Sequence, residues 1–196
     1  MQHSETSDFT LFFKLFDKKN NMTNAQKQLI IDNLKVSRID RNTHVLQPGM
    51  ICKEIHFVVE GHLRSYFVDS EKNNTINFYS PGSFITDMPC LTDASPARWG
   101  ICSHNKGVLL SVNIYTWRKL CDENPYINNA FIAMLIKQLE KANKLGYILR
   151  GCTTEESIMH LKELHPGILN IMPQIHLASY LKVTGQAMSS VIKSLK

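Results

Sequence analysis

Gln174-Ile175-His176-Leu177-Ala178-Ser179-Tyr180-Leu181, then Lys182-Val183-Thr184, then Gly185-Gln186-Ala187-Met188-Ser189-Ser190-Val191-Ile192-Lys193-Ser194-Leu195 is the stretch that decides how this sequence is read. The first and third segments predict short helices and the middle one a tight turn. Apolar residues at 177, 181, 183, 188 and 191, with the small Ala178, line the inner side of both helices. That pattern lets two helices pack across a turn of three or four residues, the helix-turn-helix geometry that lays a second helix in a DNA major groove.

The charge pattern points the same way. The net charge is +5, and residues 137–196 hold 8 Lys and Arg against 4 Asp and Glu. A basic surface there attracts phosphates through counterion release. Five cysteines (52, 90, 102, 121, 152) are scattered without a Cys-x-x-Cys pair, which argues against a disulfide scaffold or a zinc ribbon and fits a reducing cytoplasm. The N-terminus lacks the basic and apolar regions of a signal peptide. No apolar run approaches the ~20 residues of a membrane span. The expectation is a cytoplasmic protein without a membrane partner.

Upstream, Thr23 to Val36 predicts a helix capped by Thr23, with Leu29, Ile30, Ile31 and Leu34 as its stripe. From Arg38 to about Val112 the chain breaks into short β-type runs bounded by Pro-Gly, Glu-Gly and polar turns: Val45-Leu46, Ile55–Val59, Leu63–Val68, Ile76–Tyr79 and Val108–Val112. Such runs predict an antiparallel roll. Pro125 opens a long helix to about Arg150, ~40 Å in length. Phe131, Leu135, Leu139, Ala142 and Leu145 form its stripe and predict self-pairing into a dimer. Thr153-Thr154-Glu155-Glu156 begins a further helix through Leu164. The fold class is α+β. The expected domains are a β-roll with its N-terminal helix (1–123), a dimerisation helix (124–151) and a helical helix-turn-helix domain (152–196).

This order resembles the Crp–Fnr family of bacterial transcription regulators. The resemblance runs from about Leu34 to Lys196. It rests on Leu46-x-Pro48-Gly49, Phe57-Val58-Val59-Glu60-Gly61, Pro81-Gly82-Ser83-Phe84-Ile85 and Ile175-x-Leu177-Ala178-Ser179-Tyr180-Leu181-x-Val183-Thr184. It implies a cyclic-nucleotide-binding-like jelly roll, a dimerisation helix and a DNA-binding head. The short tail is similar to a branch of the family in which the wing is absent. The partners it implies are double-stranded DNA, a second copy of the chain and RNA polymerase.

The family pattern also implies an effector pocket at Thr86, Asp87, Met88, Arg98 and Trp99. Members that bind cyclic AMP read Ile-Gly-Glu-Leu at the first segment and Arg-Ser-Ala at the second. Here Ile85-Thr86-Asp87-Met88 and Arg98-Trp99-Gly100 stand in their place. Thr86 adds a side chain where glycine lets the ligand approach, and Trp99 replaces a hydroxyl donor to phosphate. No Ser or Thr lies between Ile127 and Gly151 to meet adenine. A buried phosphate without its donors costs several kcal/mol. The expected effector is therefore a small molecule other than cyclic AMP, unless the pocket is filled by its own side chains. No iron–sulfur cysteine cluster precedes Cys52, and His56, His62 and His104 read as ordinary roll residues, so no metal is expected.

In the family the second head helix begins Ser/Thr-Arg-Glu-Thr and continues apolar-Ser/Gly-Arg. Here Thr184 keeps the N-cap, while Gly185, Gln186 and Ser190 replace the two arginines and the glutamate. Both guanine-reading arginines are lost, but Gln186 can pair with adenine N6 and N7. The expected DNA-binding residues are Thr184, Gln186, Ser189, Ser190 and Lys193, with Lys196 beside them. Lys182 stands where the family has glycine, predicting a left-handed lysine that costs ~1 kcal/mol. No nucleophile–base pattern or phosphate-cradling loop is present, so no enzyme and no catalytic residue is expected. The leading function is a dimeric DNA-binding regulator. The alternative is a small-molecule-binding or interaction protein with a degenerate head.

Overall fold

The computed structural model describes residues 5–69, 72–87, 89 and 95–194. Met88, Cys90, Leu195 and Lys196 lie outside the described residues. The chain opens with a helix that the sequence pattern does not announce, α1 (Glu5–Phe16). Phe12 and Phe16 are its buried anchors. Phe12 meets Phe57 edge-on at 5.2 Å, Phe57 meets Phe84 at 4.9 Å, and Phe16 meets Trp117 at 5.6 Å. These rings tie α1 to the roll. Edge-to-face pairs add about 0.5–1.5 kcal/mol beyond area burial.

Asp17 then fixes the exit from α1. It accepts from Tyr126 Oη at 2.8 Å, from the Asn21 and Met22 N–H groups at 2.9 and 3.1 Å, and pairs with Lys27 at 3.5 Å. Burial alone would raise its pKa, but those donors outweigh it and hold the carboxyl below its ordinary value.

Helix α2 (Asn24–Asn33) starts at Thr23 with a capping box completed by Gln26. It ends three residues earlier than expected. Lys35–Ile39 is strand β1, because Val36 and its neighbours pair with the strand at Leu109–Ser111. The roll continues with β2 (His44–Leu46), β3 (Glu54–Glu60), β4 (Leu63–Asp69), β5 (Lys72–Tyr79), β6 (Phe84–Ile85), β7 (Gly100–Ser103) and β8 (Gly107–Asn113). The polar turn expected over Asp69–Asn74 is shorter, since β5 already begins at Lys72.

The strands form two four-stranded antiparallel sheets, ordered β1-β8-β3-β6 and β2-β7-β4-β5. Val58, Leu63, Ile85, Ala97, Ile101 and Leu109 fill the roll between them. Gly61 sits at φ +92° in the β3–β4 turn, where an added Cβ would lie 2.7 Å from the Lys106 carbonyl oxygen. Only glycine satisfies both constraints.

Helix α3 (Ile114–Glu123), capped by the Asn113 side chain, is likewise absent from the sequence reading. Its Trp117 packs between Phe16 and Phe131. Helix α4 (Pro125–Gly151) follows, one residue longer than expected, with Pro125 in its first turn. Thr153 caps α5 (Thr154–Leu164) through a capping box with Glu156, as its sequence predicts. A single-turn helix α6 (Ile168–Ile171) precedes α7 (Gln174–Leu181) and α8 (Gly185–Ser194).

Candidate functional site

The head is closed by the residues that its sequence marks as internal. Leu177, Ala178, Leu181 and Met188 are buried, with Val183 and Val191 packed against them. The turn takes the strained form expected of it. Lys182 lies at φ 55°, ψ 37°, and the Val183 N–H reaches back to the Ala178 carbonyl at 3.0 Å. Burial of Val183 and these turn bonds offset the ~1 kcal/mol cost of a left-handed lysine.

Thr184 Oγ1 accepts from the Ala187 N–H at 3.1 Å and starts α8 as an N-cap. Gln186, Ser190 and Lys193 are exposed along one side of α8, opposite buried Met188. Ser189 is half-buried and accepts from Gln174 Nε2 at 3.0 Å, which braces α8 against α7. A Cβ added at Gly185 would meet nothing within 4 Å among the described residues.

The opposite side of α7 rests on the roll. Ser179 Oγ accepts from the Thr75 N–H at 2.9 Å. The Phe78 ring of β5 lies 4.8 Å from Tyr180 and 6.0 Å from His165. Burial first, then the Lys141 charge, lowers the His165 pKa to about 4. Burial, Arg64 and His104 lower His176 to about 4 as well. Both imidazoles are neutral at neutral pH.

The residues of the expected effector pocket occupy unlike environments. Asp87 is 1% exposed, Thr86 and Trp99 are half-buried and Arg98 is on the surface. The buried Thr86 Oγ1 has no hydrogen-bond partner among the described residues. Gly100 lies against the Tyr66 ring, where an added Cβ would sit 2.6 Å from Cζ. His56 shares a 2.7 Å hydrogen bond with Ser111, and burial lowers its pKa. Among the described residues, no group of three or more His, Cys, Asp or Glu is arranged to hold a metal ion.

The stripe expected on α4 divides among three settings. Phe131 packs on Trp117 at 5.6 Å, and Leu145 packs on the head core. Leu135 is half-buried, while Leu139 and Ala142 are exposed. The apolar seam that faces solvent is Ile132, Ile136, Leu139 and Tyr147, of which Leu139 and Tyr147 are 61% and 64% exposed. Sequence periodicity marks only Leu139 of these four. The remaining signal is the presence of isoleucines at 132 and 136, four apart.

The sequence of the roll matches the cyclic nucleotide-binding domain family over residues 36–124. The chain as a whole has the architecture of the Crp–Fnr regulators. FixK2 from Bradyrhizobium japonicum superposes with a TM-score of 0.70 at 16% identity, covering 83% of this chain and 84% of that one. CLP of Xanthomonas campestris, a c-di-GMP-responsive global regulator, gives 0.68 at 14%, covering 88% and 91%. A Eubacterium rectale protein described as a Crp–Fnr-family regulator gives 0.68 at 15%, covering 90% and 84%. At these identities the likeness is one of fold. No curated protein matches the chain by sequence. No described helix is long and apolar enough to cross a membrane.

Proposed function

We propose that this chain is a dimeric DNA-binding transcription regulator whose α8 is the reading helix. One observation carries the reading. A capped helix behind a three-residue turn turns Gln186, Ser190 and Lys193 outward while Met188 seals the head from behind. Gln186 suits adenine, Ser190 suits a base edge or phosphate, and Lys193 suits phosphate. Thr184, at the helix start, aims the free N–H groups of α8 at a backbone phosphate. The bare seam on α4 supports self-pairing, which sets two heads ~34 Å apart on one face of a duplex. RNA polymerase is the further partner of such a regulator.

Cyclic AMP does not suit the roll. Thr86 crowds the ligand approach, and Trp99 offers no hydroxyl to a cyclic phosphate. The effector is therefore a different small molecule, unless the pocket is filled by its own side chains.

A second reading, a ligand-binding or interaction protein with a degenerate head, draws support from Gly185 and Ser190 at the two guanine-reading positions. A mobility-shift assay with genomic fragments at stated salt separates the two. The regulator reading expects selected fragments to be A·T-rich, and Gln186→Ala to reduce discrimination by ~1–3 kcal/mol at one base position. Equal retention of selected and random duplex by the native chain would favour the second reading.

A further inference from the structure

A cleft of about 780 Å³ opens where four parts of the molecule meet: the end of α1, the Ser80–Phe84 turn, one face of α4, and the corner at Leu164–Pro166. Its floor is apolar, from Leu15, Phe16, Phe84, Ala130, Ala133 and Met134. Its rim carries Lys18, Lys19, Lys137 and Lys141, all exposed. No Asp or Glu is among the described lining residues. Asp17 stands behind the wall, but Tyr126, two backbone N–H groups and Lys27 already occupy it. His165, also in the lining, is neutral. The neighbouring Lys18, burial and Lys141 lower the Lys137 pKa. Glu140 offsets part of this from outside the lining. The cleft therefore gathers like charge over an apolar floor with no counter-ion among its described lining residues.

We propose that this cleft binds a small organic anion with an apolar body, its head on the lysine rim and its body on the Leu15–Phe84–Ala133 floor. The volume suits such a molecule. Burying the body supplies the driving force, and the rim supplies charge complementarity and orientation. The cleft is distinct from the roll positions Thr86, Asp87, Arg98 and Trp99, none of which lines it. A ligand there touches roll, long helix and head together. Its binding biases the head arrangement to the extent that affinity differs between arrangements. This regulatory consequence rests on the regulator reading, whereas the binding itself does not.

Calorimetric titration of the full chain with decanoate, decyl phosphate and uncharged decanol tests the site. The expected result is saturable binding of one anion per protomer, with decanol weaker by about tenfold or more. A clear preference between the two anions assigns the head as carboxylate or phosphate. The Lys18→Ala/Lys137→Ala pair weakens the anion by about tenfold. Ala133→Trp fills the floor and removes binding, with circular dichroism checking that each variant is folded. Absence of saturable anion binding, equal affinity for decanol, or indifference to both variants would overturn the proposal. Because no DNA is present, loss of this site with retained mobility shifts rejects the cleft alone. The reverse result rejects the regulator reading alone.

Discussion

The two sides of the long helix α4 are built from similar residues and end in opposite conditions. On one side Ile127, Phe131 and Ile148 are matched by Trp117, the roll and the head core. On the other, Ile132, Ile136, Leu139 and Tyr147 face solvent. Fully burying such a side chain stabilises by about 1.5–3 kcal/mol. A protomer that leaves four uncovered forgoes several kcal/mol that a second copy would recover. The covered side belongs to the protomer, and on the proposed reading the bare side belongs to an assembly.

Breaking the covered side carries the largest expected effect. Trp117→Ala removes the ring that joins α1, α3 and α4, and should cost about 3–5 kcal/mol in urea unfolding. It should leave the association of the folded fraction unchanged. A change in association with intact stability would mean that the ring serves the wrong side of the helix.

Breaking the bare side comes next. Leu139→Glu should weaken self-association by about a hundredfold, equivalent to ~2.7 kcal/mol, by sedimentation at micromolar concentration. Protomer stability should stay within about ±0.5 kcal/mol, as for an exposed position. A variant that sediments like the native chain would show that the seam pairs with nothing.

The smallest effect sharpens the contrast from a third direction, the roll–head junction. His165 has a folded pKa of about 4 against an ordinary 6.5, so the unfolded chain binds its proton first as pH falls. The junction keeps its full stability above pH 6.5 and loses it as pH drops toward 4, by about 2 kcal/mol at about pH 5. Replacing His165 with Phe should flatten that part of the stability–pH profile without touching association. An unchanged slope would show that the imidazole is not desolvated there.

Much of this arrangement is legible in the sequence where local rules are strong. The head is readable because Leu177, Leu181 and Met188 keep helical spacing and Thr184 is a capping residue. The strands around Pro48-Gly49, Glu60-Gly61 and Pro81-Gly82 are readable because turn residues bound them. Strand β1 is hidden because Lys35–Ile39 follows directly on a helical pattern, and only pairing with β8 makes it extended. Helix α3 is hidden because Ile114-Tyr115-Thr116-Trp117 has the residue types of a strand.

The stripe expected on α4 divides for a geometric reason. Two successive four-residue steps carry Leu139 about 80° around a straight helix from Phe131, and two three-residue steps bring Leu145 back. The line from Phe131 to Leu145 therefore begins against the roll, crosses solvent at Leu139 and ends on the head. The lysine-rimmed cleft leaves no local signal, since Lys18 and Lys137 meet only through the fold. Of the residues proposed to read DNA, the exposed Gln186, Ser190 and Lys193 share a face that the 3.6 period foretells, while the Ser189 bond to Gln174 depends on the closed turn.

Whether α4 pairs two reading heads on one duplex is decided by hydroxyl-radical footprinting of the native chain on a selected fragment. The expected pattern is two protected patches ~34 Å apart on one face, both lost in Leu139→Glu and both weakened in Gln186→Ala. A single patch, or protection indistinguishable from that on random duplex, would contradict it.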